Sequence, residues 1–447
     1  MGVMCGGISS TDIIKQKKEL NIALISSRYN LCMKKIIYTY LLIALGLQAQ
    51  TLTLEQSIQK TLLNHPDIKS FTLKVRQSKM GYKSALSDYL PQVNLSAQYN
   101  PTQTYALPVN GKFHTVNDTY WSLGASLKQK IWDFSKTMAK INASKLDENI
   151  ATLSLKDLKD LLASKVKSLY ELMVVQYEAI KVRKTDLDLK KAYYAQAQAL
   201  FKQGLKTEAD TSRFLSAVYL AKDNLAIAKA TYEKAKNSLS LYMGEKIPDD
   251  VVLQTNVIRK EFHQNNNSVK NILLANNELK IYNETIQKNT LLHQSAKASH
   301  YGSLDLLASY DRVGSLNLYD TQLVGVVLNI PLYAGGRLTA DTQNAEIGMQ
   351  IAKEQKASKV LALKEEISNL ILDIQRYDET IQAKKAQLDA AQSTKRVLDG
   401  RYKEGLSTYI EVLDASSLVL DAKLGLLEAY YAKTLSIDRI DYLKGKI

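Results

Sequence analysis

The sequence is short of residues that interrupt helices and of residues that crosslink chains. Its 447 residues include only six prolines and 19 glycines, whereas Ala, Leu, Lys, Gln and Glu, which favour helices, are abundant. Both cysteines, Cys5 and Cys32, precede residue 49, where we expect a signal peptide to be cleaved. Cleavage there would leave no thiol for a disulfide, a thiolate metal site or a lipid anchor. The composition predicts a mostly α-helical protein without covalent crosslinks.

Long apolar runs and catalytic motifs are also missing. After residue 49 no apolar run approaches the roughly 18 residues that indicate a transmembrane helix, so membrane insertion would have to use strands. The histidines are scattered and form no HExxH motif, nucleophile elbow or metal-spaced cluster; they are His65, His114, His263, His293 and His300. We therefore predict that the chain is not an enzyme and holds neither a cofactor nor a metal.

The N-terminal region predicts export. Two lysines after Met33 precede the mostly apolar segment 36–47, and Ala49 is the small residue that a signal peptidase requires. We interpret 33–49 as the signal peptide, Met33 as the true start, and 1–32 as an upstream extension foreign to the native protein. The formal net charge is +14, but the charges are interleaved along helical segments, and an exported protein rarely meets nucleic acid. We expect no nucleic-acid partner.

The sequence contains an internal repeat. Residues 201–207 (FKQGLKT) recur as 402–408 (YKEGLST), an offset of 201, and the gapless comparison that starts there has 11 identities in 45 positions. An internal repeat of this length predicts duplicated architecture. We place the first repeat at 50–249, a linker at 250–268 and the second repeat at 269–447.

Each repeat contains an unusually long helical segment. The 69 residues between Phe134 and Gly204 include no Gly or Pro, and one helix of that length would reach roughly 100 Å. Its counterpart, Arg337–Asp399, contains one glycine. Shorter helices are predicted to open each repeat and to follow each long helix; they are Leu54–Tyr89, Lys206–Met243, Val269–Ala298 and Leu406–Lys444. Short Gly-centred turns between long helices indicate antiparallel coiled-coil neighbours.

Two short segments in each repeat alternate between apolar and polar residues, which is typical of strands with one apolar face. They lie at about 92–100, 120–130, 303–311 and 321–330. The repeat offset changes between the two strands of each pair, which predicts a longer hairpin tip in the first repeat, around Pro101–Thr119. Aromatic residues near the strand ends are predicted to form a membrane girdle at the lipid headgroups; they are Tyr99, Tyr120, Trp121, Tyr310 and Tyr319.

Four strands cannot close a transmembrane barrel, and open sheet edges are not viable in hydrocarbon. Several chains that pool their strands would remove the edges, and a barrel on one end of a helical cylinder forms a tunnel. The alternative is a non-channel periplasmic coiled-coil protein with a structural or adaptor role. The paired strands with aromatic ends argue against it, because such a protein has no use for a lipid-facing strand.

Five motifs occur in order along the chain; they are His65-Pro66, Leu90-Pro91-Gln92-Val93, Ile330–Arg337, Arg401–Leu406 and Thr408–Ala415. In these motifs the chain resembles the TolC-like outer membrane efflux proteins, and the resemblance covers nearly all of 51–446. The resemblance implies a homotrimer in the outer membrane of a Gram-negative bacterium. Its twelve strands, four per chain, would close one transmembrane β-barrel in the lipid, capping a long α-helical coiled-coil barrel in the periplasm. It also implies docking to a periplasmic adaptor (a membrane fusion protein) and an inner-membrane transporter.

The resemblance also implies site residues. The inter-helix turns would be adaptor-docking tips, with Gly204, Leu205 and Thr207 in the first repeat and Gly405, Leu406 and Thr408 in the second. Glu411, Asp414 and Tyr402 would form the periplasmic gate. Ser407 replaces an arginine that often tethers this gate, which predicts a looser latch or one held elsewhere. Glu411 and Asp414 are also ordinary first-turn carboxylates of a helix, so a purely structural interpretation stays open.

Overall fold

The structure, a computed structural model, describes residues 51–263 and 269–446. The predicted extension at 1–32, the signal peptide at 33–49 and part of the predicted linker lie outside the described residues. Contacts within the described chain divide it into two units. In the smaller unit, the strands Thr51–Leu52 and Val252–Leu253 pair in parallel.

The larger unit is mainly helical, which confirms the predicted fold class of a mostly α protein with a small β part. Its helices are α1 (Leu54–Asn64), α2 (Pro66–Ser87), α3 (Lys136–Lys202), α4 (Glu208–Met243), α5 (Val269–Ala275), α6 (Asn277–Ala298), α7 (Arg337–Lys403) and α8 (Tyr409–Leu443). Its strands are β1 (Gln92–Val109), β2 (Lys112–Trp132), β3 (Ser303–Gly314) and β4 (Leu318–Asn329). The long helices α3 and α7 contain 67 residues each and are uninterrupted, because almost nothing in these segments opposes helix formation.

Two predicted helices are divided in the structure. The first breaks at His65, whose ring accepts a hydrogen bond from Asp67 N, and Pro66 begins the next helix. Proline suits the first position of a helix because its missing N–H would be unpaired there anyway. The equivalent break in the second repeat is at Asn276, whose side chain caps α6 and also donates to the carbonyl of Leu443. At the first break the Asn64 side chain donates to the carbonyl of Met243 at 3.1 Å, so each short helix is joined to the end of a neighbouring helix.

The four strands form one antiparallel sheet in the order β1-β2-β3-β4. The register aligns Leu95 with Ala125, Ala125 with Tyr310, and Ala308 with Val324, which places the alternating apolar residues on one face. That face is uncovered: Leu95 is 77% exposed and Val324 is 80% exposed. Within the described residues, β1 and β4 each have one unpaired edge.

The first hairpin is longer than the second, and its predicted tip, around Pro101–Thr119, is mostly strand. Strands β1 and β2 continue through most of that segment, with a register shift between Asn100 and Gln103. The hairpin closes at Asn110-Gly111, where both residues have positive φ, 50° and 71°. This is the two-residue turn whose twist matches antiparallel strands. The additional residues therefore lengthen the strands.

The helices pack side by side in the same order as the strands to which they connect. Helix α2 packs on α3, α3 on α6, and α6 on α7, which repeats the order of the strands that adjoin them. The joint before α7 is Gly335-Gly336, with φ of 61° and 80°, and the joint before α3 is Phe134-Ser135, with φ of 53° and 67°. The same left-handed backbone is thus adopted by glycine in one repeat and by bulkier residues in the other, where it is strained.

A buried ionic cluster ties the segment that follows the smaller unit to two helices. The Lys260 ammonium donates to Glu171 on α3 at 2.8 Å and to Asp438 on α8 at 2.7 Å. Both carboxylates are almost fully buried, and each keeps one oxygen without a hydrogen bond in the described chain. Burial and the neighbouring Asp438 raise the pKa of Glu171 to about 8. The cluster therefore retains a proton near neutral pH.

Candidate functional site at the helix tips

The two inter-helix turns share one backbone geometry. In the first repeat Leu205 N donates to the carbonyl of Leu200, and in the second Leu406 N donates to that of Arg401, at 2.9 and 2.8 Å. Gly204 and Gly405 have φ of 76° and 74°. This bonding with a left-handed glycine is the Schellman motif, which pairs carbonyls left free at a helix end. The leucine side chains that follow are 66% and 67% exposed, so each turn presents an apolar tip.

Each tip is followed by a capping box. Thr207 and Thr408 precede α4 and α8, and their hydroxyls accept from the backbone N–H of Asp210 and Glu411, both at 3.3 Å. The carboxylates return the contact: Thr207 N donates to Asp210 at 2.9 Å and Thr408 N to Glu411 at 2.7 Å. The donated hydrogen bonds from Thr408 hold the pKa of Glu411 below its usual range. Glu411 is therefore an ionised helix cap.

An aromatic cluster joins the tips of both repeats, and sequence reasoning missed its centre. Phe214 on α4 is fully buried, and its ring centroid lies 5.9 Å from that of Tyr193, 5.8 Å from Tyr402 and 6.2 Å from Tyr409. These separations are typical of favourable aromatic pairs. Because the four rings come from α3, α4, α7 and α8, the cluster holds all four helices together at this end.

A hydrogen bond between the repeats lies beside this cluster. The Tyr193 hydroxyl on α3 donates to Asp399 on α7, and Lys395 pairs with the other oxygen of the same carboxylate at 2.5 Å. Burial and the carboxylate raise the pKa of Tyr193, so the hydroxyl keeps its proton and remains a donor. We call Tyr193, Lys395 and Asp399 the inter-repeat latch.

A cavity of about 360 Å³ adjoins the latch between α3, α7 and α8. Asp186 on its wall lies 3.9 Å from Lys190, and both side chains are buried. Burial raises the pKa of Asp186 and lowers that of Lys190. The interior between the repeats at this end is thus polar and charged, in contrast to the aromatic cluster beside it.

The predicted gate residues have different surroundings. Tyr402 is 1% exposed, and its hydroxyl has no hydrogen-bond partner in the described chain. Asp414, one turn beyond Glu411, is exposed and makes no hydrogen bond or ion pair with the described residues. Ser407 is buried and donates to the carbonyl of Leu398 at 3.2 Å. Near the tips of one chain, Tyr193 rather than Tyr402 makes a hydrogen bond between the repeats.

The predicted girdle residues fall on both faces of the sheet. Tyr99 pairs with Trp121, so their side chains lie on the same face of the sheet. Trp121 pairs with Gly314 on β3, and Tyr310 lies four residues before Gly314 on that strand. All three aromatic side chains therefore lie on the apolar face. Tyr120 and Tyr319 alternate with apolar-face positions, so their side chains project to the opposite, polar face. At the level of Gly314, the aromatic residues on the apolar face are therefore Tyr99 and Trp121.

Two features are absent from residues 51–263 and 269–446. No group of three or more His, Cys, Asp or Glu residues there is arranged to hold a metal ion. No helix in those ranges combines the length and apolar content needed to cross a lipid bilayer.

Comparison with known proteins identifies the family. The sequence model described as "Outer membrane efflux protein" matches residues 57–245 and 270–445. The chain belongs to this family. Membership makes it a transport protein of the efflux class, located in the outer membrane of a Gram-negative bacterium. Members of the family are channels rather than enzymes.

Individual relatives are distant in sequence but cover nearly the whole chain. Outer membrane protein TolC of Salmonella enteritidis is 23% identical over 424 residues, covering 89% of this chain and 83% of TolC. Cation efflux system protein CusC of Escherichia coli K12 is 21% identical over 395 residues, covering 85% and 83%.

Solved structures share the fold. A crystal structure of CusC superposes with a TM-score of 0.78 at 19% identity, covering 88% of this chain and 91% of CusC. VceC of Vibrio cholerae also gives a TM-score of 0.78, at 16% identity, covering 88% and 96%.

Proposed function

We propose that three copies of this chain form the outer-membrane exit duct of a tripartite efflux or type I secretion system. The duct is passive. A periplasmic adaptor and an inner-membrane pump open it, and the pump supplies the energy.

The four-stranded sheet carries this proposal. One face is apolar and uncovered, and the edges of β1 and β4 are unpaired within the described residues. In hydrocarbon an unpaired backbone group costs several kcal/mol, so spanning strands must close into a barrel. If β4 of each copy pairs with β1 of the next, three copies supply twelve strands and leave no edge. The apolar face then contacts lipid, and the polar face lines the duct.

The helix tips support docking to the adaptor. Leu205 and Leu406 are largely exposed on rigid Schellman turns. In an assembled trimer these leucines would repeat around the end of the helices and form one apolar surface, the kind that marks a protein contact. We assign the adaptor contact to the two tips, which are defined by Gly204, Leu205 and Thr207 and by Gly405, Leu406 and Thr408.

Carboxylates near the second tip support a gate. Three copies of the exposed Asp414, with three copies of Glu411, would place like charges around one constriction. Rings of carboxylates favour cations and bind divalent ions. The buried Tyr402, packed on Phe214, holds the second tip against the first repeat. In the closed state this contact keeps the constriction narrow.

Single-channel conductance in planar bilayers tests the proposal. Wild-type trimer is expected to give small, cation-selective openings that divalent cations block. The variant Glu411→Gln/Asp414→Asn keeps the side chains' size, and Gln at 411 still completes a capping box. We expect this variant to lose the block and much of the cation selectivity, because the charges are removed while the fold is kept.

A matched control variant distinguishes the loss of the proposed carboxylate ring from the loss of surface charge in general. Asp223→Asn/Glu365→Gln removes two exposed carboxylates from α4 and α7, and its conductance should equal that of wild type. Unchanged block in the gate variant would refute the gate and leave the duct intact. A monomer that stays soluble without detergent and gives no conductance would refute the duct and support the non-channel periplasmic coiled coil.

A further inference from the structure

A polar cavity lies where the strands meet the helices, at the opposite end of α3 and α7 from the tips. Its volume is about 500 Å³. It is lined by the starts of α3 and α7, the end of α6, and the strand ends, where Lys130, Ser303 and Asn329 contribute. These three residues alternate with the apolar positions of their strands. The cavity therefore opens on the polar side of the sheet.

Positive charge dominates the cavity. Four cations line it, against two carboxylates; the cations are Lys130, Lys136, Lys140 and Arg337, and the carboxylates are Asp133 and Asp341.

Both carboxylates are already engaged. Asp133 is buried, accepts two hydrogen bonds from Thr137 at 2.9 and 2.5 Å, and lies 3.7 Å from the Lys130 ammonium. Asp341 lies 3.4 Å from the Arg337 guanidinium. Two positive charges are left without a counter-charge.

Those two charges are Lys136 and Lys140, one turn apart on α3. In the described chain neither ammonium has a hydrogen-bond or ion-pair partner. Burial, followed by repulsion from Lys140, Lys130 and Arg337, lowers the pKa of Lys136 despite the nearby Asp133. The first turns of α3 and α7 also line this cavity, and helix N-termini favour anions. All of these effects favour a bound anion.

We propose that this junction cavity is an oxyanion-binding site for phosphate-type groups, with Lys136 and Lys140 as its principal donors. Lysine ammonium groups bind phosphate oxygens through charge-assisted hydrogen bonds. Binding itself requires only one chain. The site's position inside the duct rests on the proposed function, since the polar face lines the duct only in a closed barrel. There the site would bind anionic solutes at the end distant from the acidic gate.

Inorganic phosphate is the probe that tests binding. The full chain in detergent should broaden the ³¹P resonance of phosphate saturably, and chloride should not abolish the effect at equal concentration. The variant Lys136→Gln/Lys140→Gln should weaken binding about tenfold or more, since it removes both unpaired charges. The control Lys229→Gln/Lys234→Gln removes two exposed lysines from α4 and should bind phosphate as wild type does.

A single variant and a phospholipid assay complete the binding test. If the double variant misfolds by circular dichroism, the single variant Lys140→Gln, at an exposed position, should still weaken binding several-fold. Phospholipid phosphorus that copurifies with wild type, and is lost in the variant while free phosphate binding is unchanged, would assign the cavity to a lipid headgroup and overturn the solute site. Equal phosphate binding by wild type and variant, or none by wild type, would also overturn it. Because binding needs no conductance, either result leaves the duct proposal to its own test.

Discussion

The two helix tips have the same backbone and different side chains. Both have a Schellman turn with a left-handed glycine, an exposed leucine, and a capping box whose bond lengths agree within a few tenths of an ångström. The positions around this frame differ. Phe201 is 45% exposed, whereas its equivalent Tyr402 is 1% exposed. One turn into the following helix, Arg213 lies over the Tyr409 ring at 5.7 Å, whereas its equivalent Asp414 is free in the described chain.

The comparison separates what builds a tip from what distinguishes one tip from the other. The capping carboxylates Asp210 and Glu411 belong to the shared frame, so acidity at that position is explained by helix formation alone. The buried Tyr402 and the unpaired Asp414 occur only in the second repeat. They are the better candidates for a role beyond folding.

The largest effect is expected when the aromatic cluster is opened. Phe214→Ala removes a fully buried ring that contacts three others, and such truncations cost about 3–5 kcal/mol. The two tips should separate, which we expect to appear as lower thermal stability and as longer or larger channel openings. Phe201→Ala, at the exposed equivalent of Tyr402, is the control and should change neither. Similar losses in both variants would show that the tips are not distinguished by this packing.

The Tyr193 hydroxyl of the inter-repeat latch has no counterpart in the second repeat, where the equivalent residue is the exposed Thr394. Tyr193→Phe removes the donor to Asp399 and should destabilise this end by about 1.5–3 kcal/mol, the usual range for a hydrogen bond to a charged group. Hydrogen exchange of the α3 and α7 ends should rise. Tyr219→Phe, at an exposed tyrosine of α4, should leave exchange at wild-type rates. No change in the Tyr193 variant would argue that water replaces the hydroxyl there.

Loss of the capping hydroxyl should have the same effect in both repeats. Thr207→Ala and Thr408→Ala each remove a cap, at a cost of about 1 kcal/mol. Hydrogen exchange in the first turns of α4 and α8 should therefore increase to a similar extent. Replacement by Ser, which retains the hydroxyl, should restore protection. A much larger effect at Thr408 would mean that this cap has a second role.

The smallest effect concerns pH and the buried cluster around Lys260. The equivalent of Glu171 in the second repeat is Leu372, which is 62% exposed, so the second repeat has no acid at this position. Because the folded-state pKa of Glu171 is raised to about 8, its contribution to stability is complete below its unfolded pKa and is lost as pH rises to about 8.

Thermal melts across that pH range test this assignment. Glu171→Gln should flatten the decline of melting temperature by about 1 °C for each kcal/mol of pH-dependent stability that it removes, the scale expected for a chain of this size. An equal slope in Leu372→Gln and Glu171→Gln would refute the assignment. The other charged groups near the carboxyl, Asp438 and Lys260, remain in both variants.

Several features of this fold could be predicted from local sequence. Segments without proline and with little or no glycine became the two 67-residue helices, and period-two alternation located all four strands. The errors had local signals as well. Asn110-Gly111 is the strongest short hairpin signal, and it places the turn where the structure has it. Pro66 indicated a helix start rather than an interior position.

The candidate site was less predictable. The patterns Thr-x-x-Asp and Thr-x-x-Glu indicate the two capping boxes. The contacts that join the repeats have no local signal, because Tyr193 and Asp399 are 206 residues apart. Phe214 likewise looks like any apolar helix residue. Which residues meet across the repeats depends on how four long helices pack.

The open edges of the sheet have a consequence for assembly. A lone chain in the periplasm would carry an uncovered apolar face and two unpaired backbone edges at once, the combination that promotes uncontrolled strand addition. A single chain cannot insert into the bilayer alone, because the backbone groups at its two sheet edges would lack hydrogen-bond partners in hydrocarbon. In the proposed duct, association of the chains must therefore precede or accompany insertion. Formation of the proposed trimer would then depend steeply on chain concentration.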